Sequence, residues 1–101
     1  MTKEQKENLD RIQENMLVLK EEIKRINKDI KYFEGRVIGI TLAPYENCGK
    51  ELRKCERIVE SLKLEKKAFV KEYKKYKKEY DKVRKEIKLQ EKNNKNIEKT
   101  L

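Results

Sequence analysis

With 101 residues, 47% of them charged and 36% hydrophobic, the chain has room for one domain and too few apolar side chains for a broad globular core. Three glycines and one proline are equally far from a flexible low-complexity composition, which leaves long helices built from Lys, Glu, Leu and Ile. The net charge of +9 comes without a single histidine, removing the side chain most used as a general base near neutral pH and as a metal ligand.

Alternating steps of three and four from Leu9 meet Ile12, Met16, Leu19, Ile23, Ile26, Ile30, Phe33 and Val37, all apolar. A period of 3.5 is the seam of a supercoiled helix, and Asp10, Glu14, Lys20, Lys24 and Lys28 fall on its solvated side. Thr2 followed by Gln5 reads as a capping box, so the helix starts near Lys3. Gly35 reads as a left-handed C-terminal cap, ending it near residue 34.

The next segment, about 35–47, is predicted to be a non-helical link. It is rich in β-branched and apolar residues, and Pro44 forbids a continuous helix. An apolar link needs somewhere to be buried. It is either a lid over the open end of a hairpin or a docking surface for a partner, and Val37, Ile38, Ile40, Leu42 and Tyr45 are its candidate contact residues.

From Cys48 the alternation resumes through Leu52, Cys55, Val59, Leu62, Lys66, Phe69, Tyr73, Tyr76, Tyr80, Val83 and Ile87. It turns polar at Gln90 and Asn94 before Ile97 and Leu101, predicting a second helix over about 48–91 and a frayed tail over about 92–101. The expected fold is all-α: a single-domain antiparallel two-helix coiled-coil hairpin, its second helix the longer. Setting Phe33 near Leu52, Ile26 near Val59, Met16 near Phe69 and Leu9 near Tyr76 leaves the second helix overhanging beyond Val83. One buried stripe per helix is marginal. Leu17, Val18, Ile38, Ile40, Leu42, Ile58, Leu64 and Val70 lie outside it, so packing into a homo-oligomeric bundle is expected.

Chemistry-bearing residues are few. Ser61 stands among helix formers with no base to activate it, and Cys48 and Cys55 without histidine cannot complete a four-ligand zinc site in one chain. Gly35, Gly39 and Gly49 fit neither phosphate-loop pattern. No catalytic residue, metal site or cofactor is expected, and the chain is read as a non-enzyme. Seven residues apart, the cysteines lie about 10 Å apart along a helix axis, too far to bridge. They read as small seam residues, with an interchain disulfide or shared metal as the alternative. No apolar run nears the ~20 residues of a membrane span. Met1-Thr2-Lys3-Glu4 begins no signal peptide, so a soluble cytoplasmic protein is expected.

Charge divides unevenly. Residues 1–48 hold nine basic and nine acidic side chains, whereas residues 49–101 hold nineteen and ten. Lys71, Lys74, Lys75, Lys78, Lys82 and Lys85 are the candidate anion-binding residues. The competing view is a solvated helix face: lysine lacks arginine's phosphate-matching fork, and Glu65, Glu72, Glu79 and Glu86 recur every seven residues, partly cancelling the field. Tyr73, Tyr76 and Tyr80 are either seam residues or stacking platforms for bases.

The order helix, Ile40-Thr41-Leu42-Ala43-Pro44-Tyr45, then a helix carrying Ile58-Val59-Glu60-Ser61-Leu62, resembles the N-terminal helical region of small phage transcriptional regulators of the RinA/ArpU type. Such proteins usually continue into a helix-turn-helix that binds DNA. The resemblance implies a phage or mobile-element setting and assigns no functional residue. The expected function is protein–protein contact, as an adaptor, regulator or inhibitor of a host or phage protein. The alternatives are a nucleic-acid-binding accessory protein using the basic second helix, or an oligomeric binder of a small anionic ligand.

Overall fold

The computed structural model describes the backbone of residues 1–100 and the side chains of residues 1–94. Two helices, α1 (Lys3–Leu42) and α2 (Gly49–Thr100), pack against each other as an all-α hairpin with principal extents of 84 × 19 × 14 Å. The start of α1 is the expected capping box. Thr2 is extended, its Oγ1 accepts the Gln5 amide at 3.1 Å, and Gln5 Oε1 accepts the Thr2 amide at 3.0 Å.

The expected link at 35–47 is mostly helix. α1 runs through Gly35 and Gly39, neither at positive φ, and stops only at Leu42. An interior glycine costs about 0.5–1 kcal/mol relative to alanine, a penalty that the packing of Val37 and Ile40 outweighs. The real stop is Pro44, whose ring excludes helical backbone at the residue before it. Ala43 accordingly sits at φ −133° and ψ 71°, its amide still donating to the Gly39 carbonyl at 3.0 Å. The connection shrinks to residues 43–48. Its left-handed residue is Asn47 (φ 61°), a residue type that tolerates this region better than most. The Tyr45 carbonyl accepts the Cys48 amide, and the Cys48 carbonyl accepts the Leu52 amide at 2.9 Å, launching α2.

Longer by two turns, α1 shifts the pairing about one heptad from the expected register. Gln5 Nε2 donates to Gln90 Oε1 at 2.8 Å, and Gln13 Nε2 donates to the Tyr80 hydroxyl at 2.9 Å. Lys63 pairs with Glu34 at 3.2 Å and Arg36 with Glu51 at 3.0 Å. The overhang of α2 therefore begins past Glu91, near the Met1 amino group, rather than past Val83. Nor does α2 end near residue 91, since it continues to Thr100. With no Gly or Pro there, asparagine and threonine are the weakest helix formers present and cost at most ~0.7 kcal/mol per residue. The side chain of Ile97 and the whole of Leu101 lie outside the described residues.

Burial follows the heptads. Ile12, Leu19, Ile26, Ile30 and Ile40 of α1 are buried with Cys55 and Ile87 of α2. Leu9, Met16, Ile23, Phe33 and Val37 are half-buried, as are Leu52, Val59, Leu62, Lys66, Phe69 and the seam tyrosines. Ile40 extends the three-four alternation one step beyond Val37. Two helices wrap each other on one side only, so the core is a single thin seam.

Candidate functional site

Lettering the seam a and d gives Leu52, Val59, Lys66, Tyr73, Tyr80 and Ile87 at a, with Cys55, Leu62, Phe69, Tyr76 and Val83 at d. Positions b, c and f then point away from α1. Between Lys50 and Lys92 they carry thirteen basic side chains and two acidic ones, Glu60 and Asp81, all exposed. One face of one helix thus holds a larger excess of positive charge than the +9 of the whole chain. It extends about 63 Å at 1.5 Å per residue.

The cations fall in two groups. Lys50, Arg53, Lys54 and Arg57 recur at i, i+3, i+4 and i+7, and with Ile58 they line a shallow hollow near the start of α2. After an interruption at Glu60, Ser61 and Leu64, the second group runs from Lys67 to Lys92. It includes all six expected lysines: Lys71, Lys74, Lys75, Lys78, Lys82 and Lys85. A second hollow opens where the short Ala68 side chain sits beside Lys71, Glu72, Lys74, Lys75 and Lys78.

The glutamates flank this face rather than lie on it, and because Glu72 borders the second hollow they cancel its charge only in part. Glu65, Glu72, Glu79 and Glu86 all occupy position g, on the flank toward α1, and Glu79 stands 3.9 Å from Arg11 of α1. Among the described residues no cation of the outer face takes part in an ion pair. Simple counting along the chain merges flank and face. Heptad lettering separates them, and it would also have found the missed group at Lys50–Arg57.

The tyrosines belong to the seam. Tyr73, Tyr76 and Tyr80 are half-buried there, Tyr80 held by Gln13 and by the Arg84 guanidinium 5.8 Å from its ring centroid. No aromatic side chain lies on the outer face between Lys50 and Lys92. The five residues nominated in the link separate. Val37 is half-buried and Ile40 is 7% exposed, both as seam residues, whereas Ile38 (59%), Leu42 (79%) and Tyr45 (52%) are exposed at the tip. Both cysteines are free, Cys55 buried in the seam and Cys48 half-buried in the connection. Among the described residues no three of Cys, Asp and Glu stand close enough to hold a metal ion.

Fold and site together define an all-α hairpin with one strongly basic face. No protein-family model matches the chain, and no curated protein or solved structure is detectably similar to it.

Proposed function

We propose that this hairpin is a non-enzymatic rod that works by contact, docking on a nucleic-acid backbone through the outer face of α2. The observation behind this is the segregation of thirteen exposed cations against two acids on that face. Phosphate neutralisation by lysine releases condensed counterions, which yields affinity without base recognition. With eleven of the thirteen cations lysine and no aromatic among them, the face offers mainly charge, with bidentate forks only at Arg53 and Arg57 and no stacking surface. Binding should be indifferent to sequence and steep in salt.

Fluorescence anisotropy on two unrelated 20-base-pair duplexes, from low to physiological salt, tests it. Replacing Lys71, Lys74, Lys75 and Lys78 with Gln should flatten the log–log salt slope by up to about 3.6, roughly 0.9 for each phosphate no longer neutralised. Replacing Lys3, Lys6 and Lys20 of α1 should change the slope little. Wild-type binding that is already gone at physiological salt would return the face to the role of a solvated surface.

Three side chains at the tip, Ile38, Leu42 and Tyr45, favour a second contact, with a protein partner. The phage or mobile-element setting rests on the sequence resemblance. Among the described residues no helix is long and apolar enough to cross a membrane.

A further inference from the structure

The outer face of α1 differs in kind from that of α2. Its seam positions are Leu9, Met16, Ile23, Ile30 and Val37 at a, with Ile12, Leu19, Ile26, Phe33 and Ile40 at d. Positions b, c and f on this helix hold Leu17, Val18, Tyr32, Ile38 and Leu42, five of the nine large apolar side chains left exposed among the described residues. The outer face of α2 holds only Leu64 and Leu89 of that set. The charges of α1 are also sorted along its length. The first half of the face holds Glu4, Glu7, Asp10, Glu14 and Glu21 against Lys3 and Arg11, and the second holds Lys24, Arg25, Lys28 and Lys31 with no acid. Arg11 and Arg25 are paired within the chain, and Asp10, Glu14, Glu21, Lys24, Lys28 and Lys31, all exposed, are the charges at issue. None of these six is in an ion pair with the described residues of its own chain.

We propose that two copies of the chain pair antiparallel through this face of α1. A parallel pairing would set acid against acid and lysine against lysine. Reversing one copy about a point between Glu22 and Ile23 brings Glu14 opposite Lys31 of the second copy and Glu21 opposite its Lys24. Two-fold symmetry makes each contact twice. Leu17 then lies against the aliphatic stem of Lys28 of the second copy, the way a long cation covers apolar surface. The α2 face cannot serve instead, because thirteen cations meeting their copies repel. The pairing rests on α1 alone and holds whether or not α2 binds nucleic acid. Exposed ion pairs are individually weak, so the dimer is reversible and salt-sensitive rather than obligate.

Sedimentation equilibrium on the full chain at tens of micromolar and low salt tests this through charge reversal. The wild type should sediment with dimer mass. E14K/E21K and K24E/K31E should each weaken association at least tenfold, although the first raises net charge and the second lowers it. A general repulsion between basic molecules would move the two in opposite directions. Mixing the two variants, or combining all four substitutions in one chain, should restore the dimer. Circular dichroism should show each variant as helical as the wild type. A wild type that stays monomeric at these concentrations overturns the proposal. So does a reversal variant that keeps the wild-type mass, or a mixture that fails to pair.

Discussion

Gly35 and Gly39 show how one residue type can carry opposite meanings. Glycine ends a helix when the chain must turn left-handed, yet here both glycines are helical and that duty falls to Asn47. A Cβ built on either glycine meets nothing within 4 Å. Gly35→Ala and Gly39→Ala should therefore each stabilise the hairpin by about 0.5–1 kcal/mol, by removing freedom from the unfolded chain at no steric cost. Urea titration followed by circular dichroism measures this, and a loss of stability at either position would reveal that the glycine is needed for a close approach absent from the isolated hairpin. The true end of α1 was legible all the same. Pro44 constrains Ala43 by hard sterics, whereas glycine only permits a turn, and the alternation through Val37 to Ile40 already continued the seam past both glycines.

At the level of the element, the last two turns of α1 place two isoleucines in opposite environments two residues apart. Ile40 is 7% exposed against α2, and Ile38 is 59% exposed. Ile40→Asp must bury a carboxylate or open the end of the seam, losing at least the ~2 kcal/mol that burial of one such side chain contributes. Ile38→Asp should leave the melt within about 0.5 kcal/mol of wild type, as surface changes usually do. Thermal melts of the two single variants check both, and equal destabilisation would mean that Ile38 is covered. Periodicity made the helices and most of the seam readable from sequence, because a 3.5-residue repeat admits little else, and the Thr2–Gln5 spacing made the capping box readable. The register was not readable. It depends on where the turn closes, so the misplaced end of α1 moved the expected register by about a heptad. The basic face was half-readable. The lysine run is plain in the sequence, but its separation from Glu65, Glu72, Glu79 and Glu86 emerges only once a seam fixes which way each turn points.

Over the whole molecule, an 84 Å rod rests on a single seam in which seven hydrophobic side chains are buried among the described residues. Such a chain gains little burial per ordered residue and sits close to the limit of stability. Any association that favours the folded hairpin then adds directly to its apparent stability by mass action. If the α1 faces pair, the midpoint of thermal unfolding should rise as concentration goes from about 1 to 100 µM, because a bound partner stabilises by RT ln(1 + [L]/Kd). Added salt should shrink that rise by screening Glu14, Glu21, Lys24 and Lys31. It should also raise the midpoint of the dilute monomer slightly, since thirteen cations along α2 repel one another and screening relieves that strain. Opposite salt responses at the two concentrations would separate repulsion within one hairpin from attraction between two. A midpoint independent of concentration at every salt would show that the seam alone sustains the fold and that pairing contributes nothing to it.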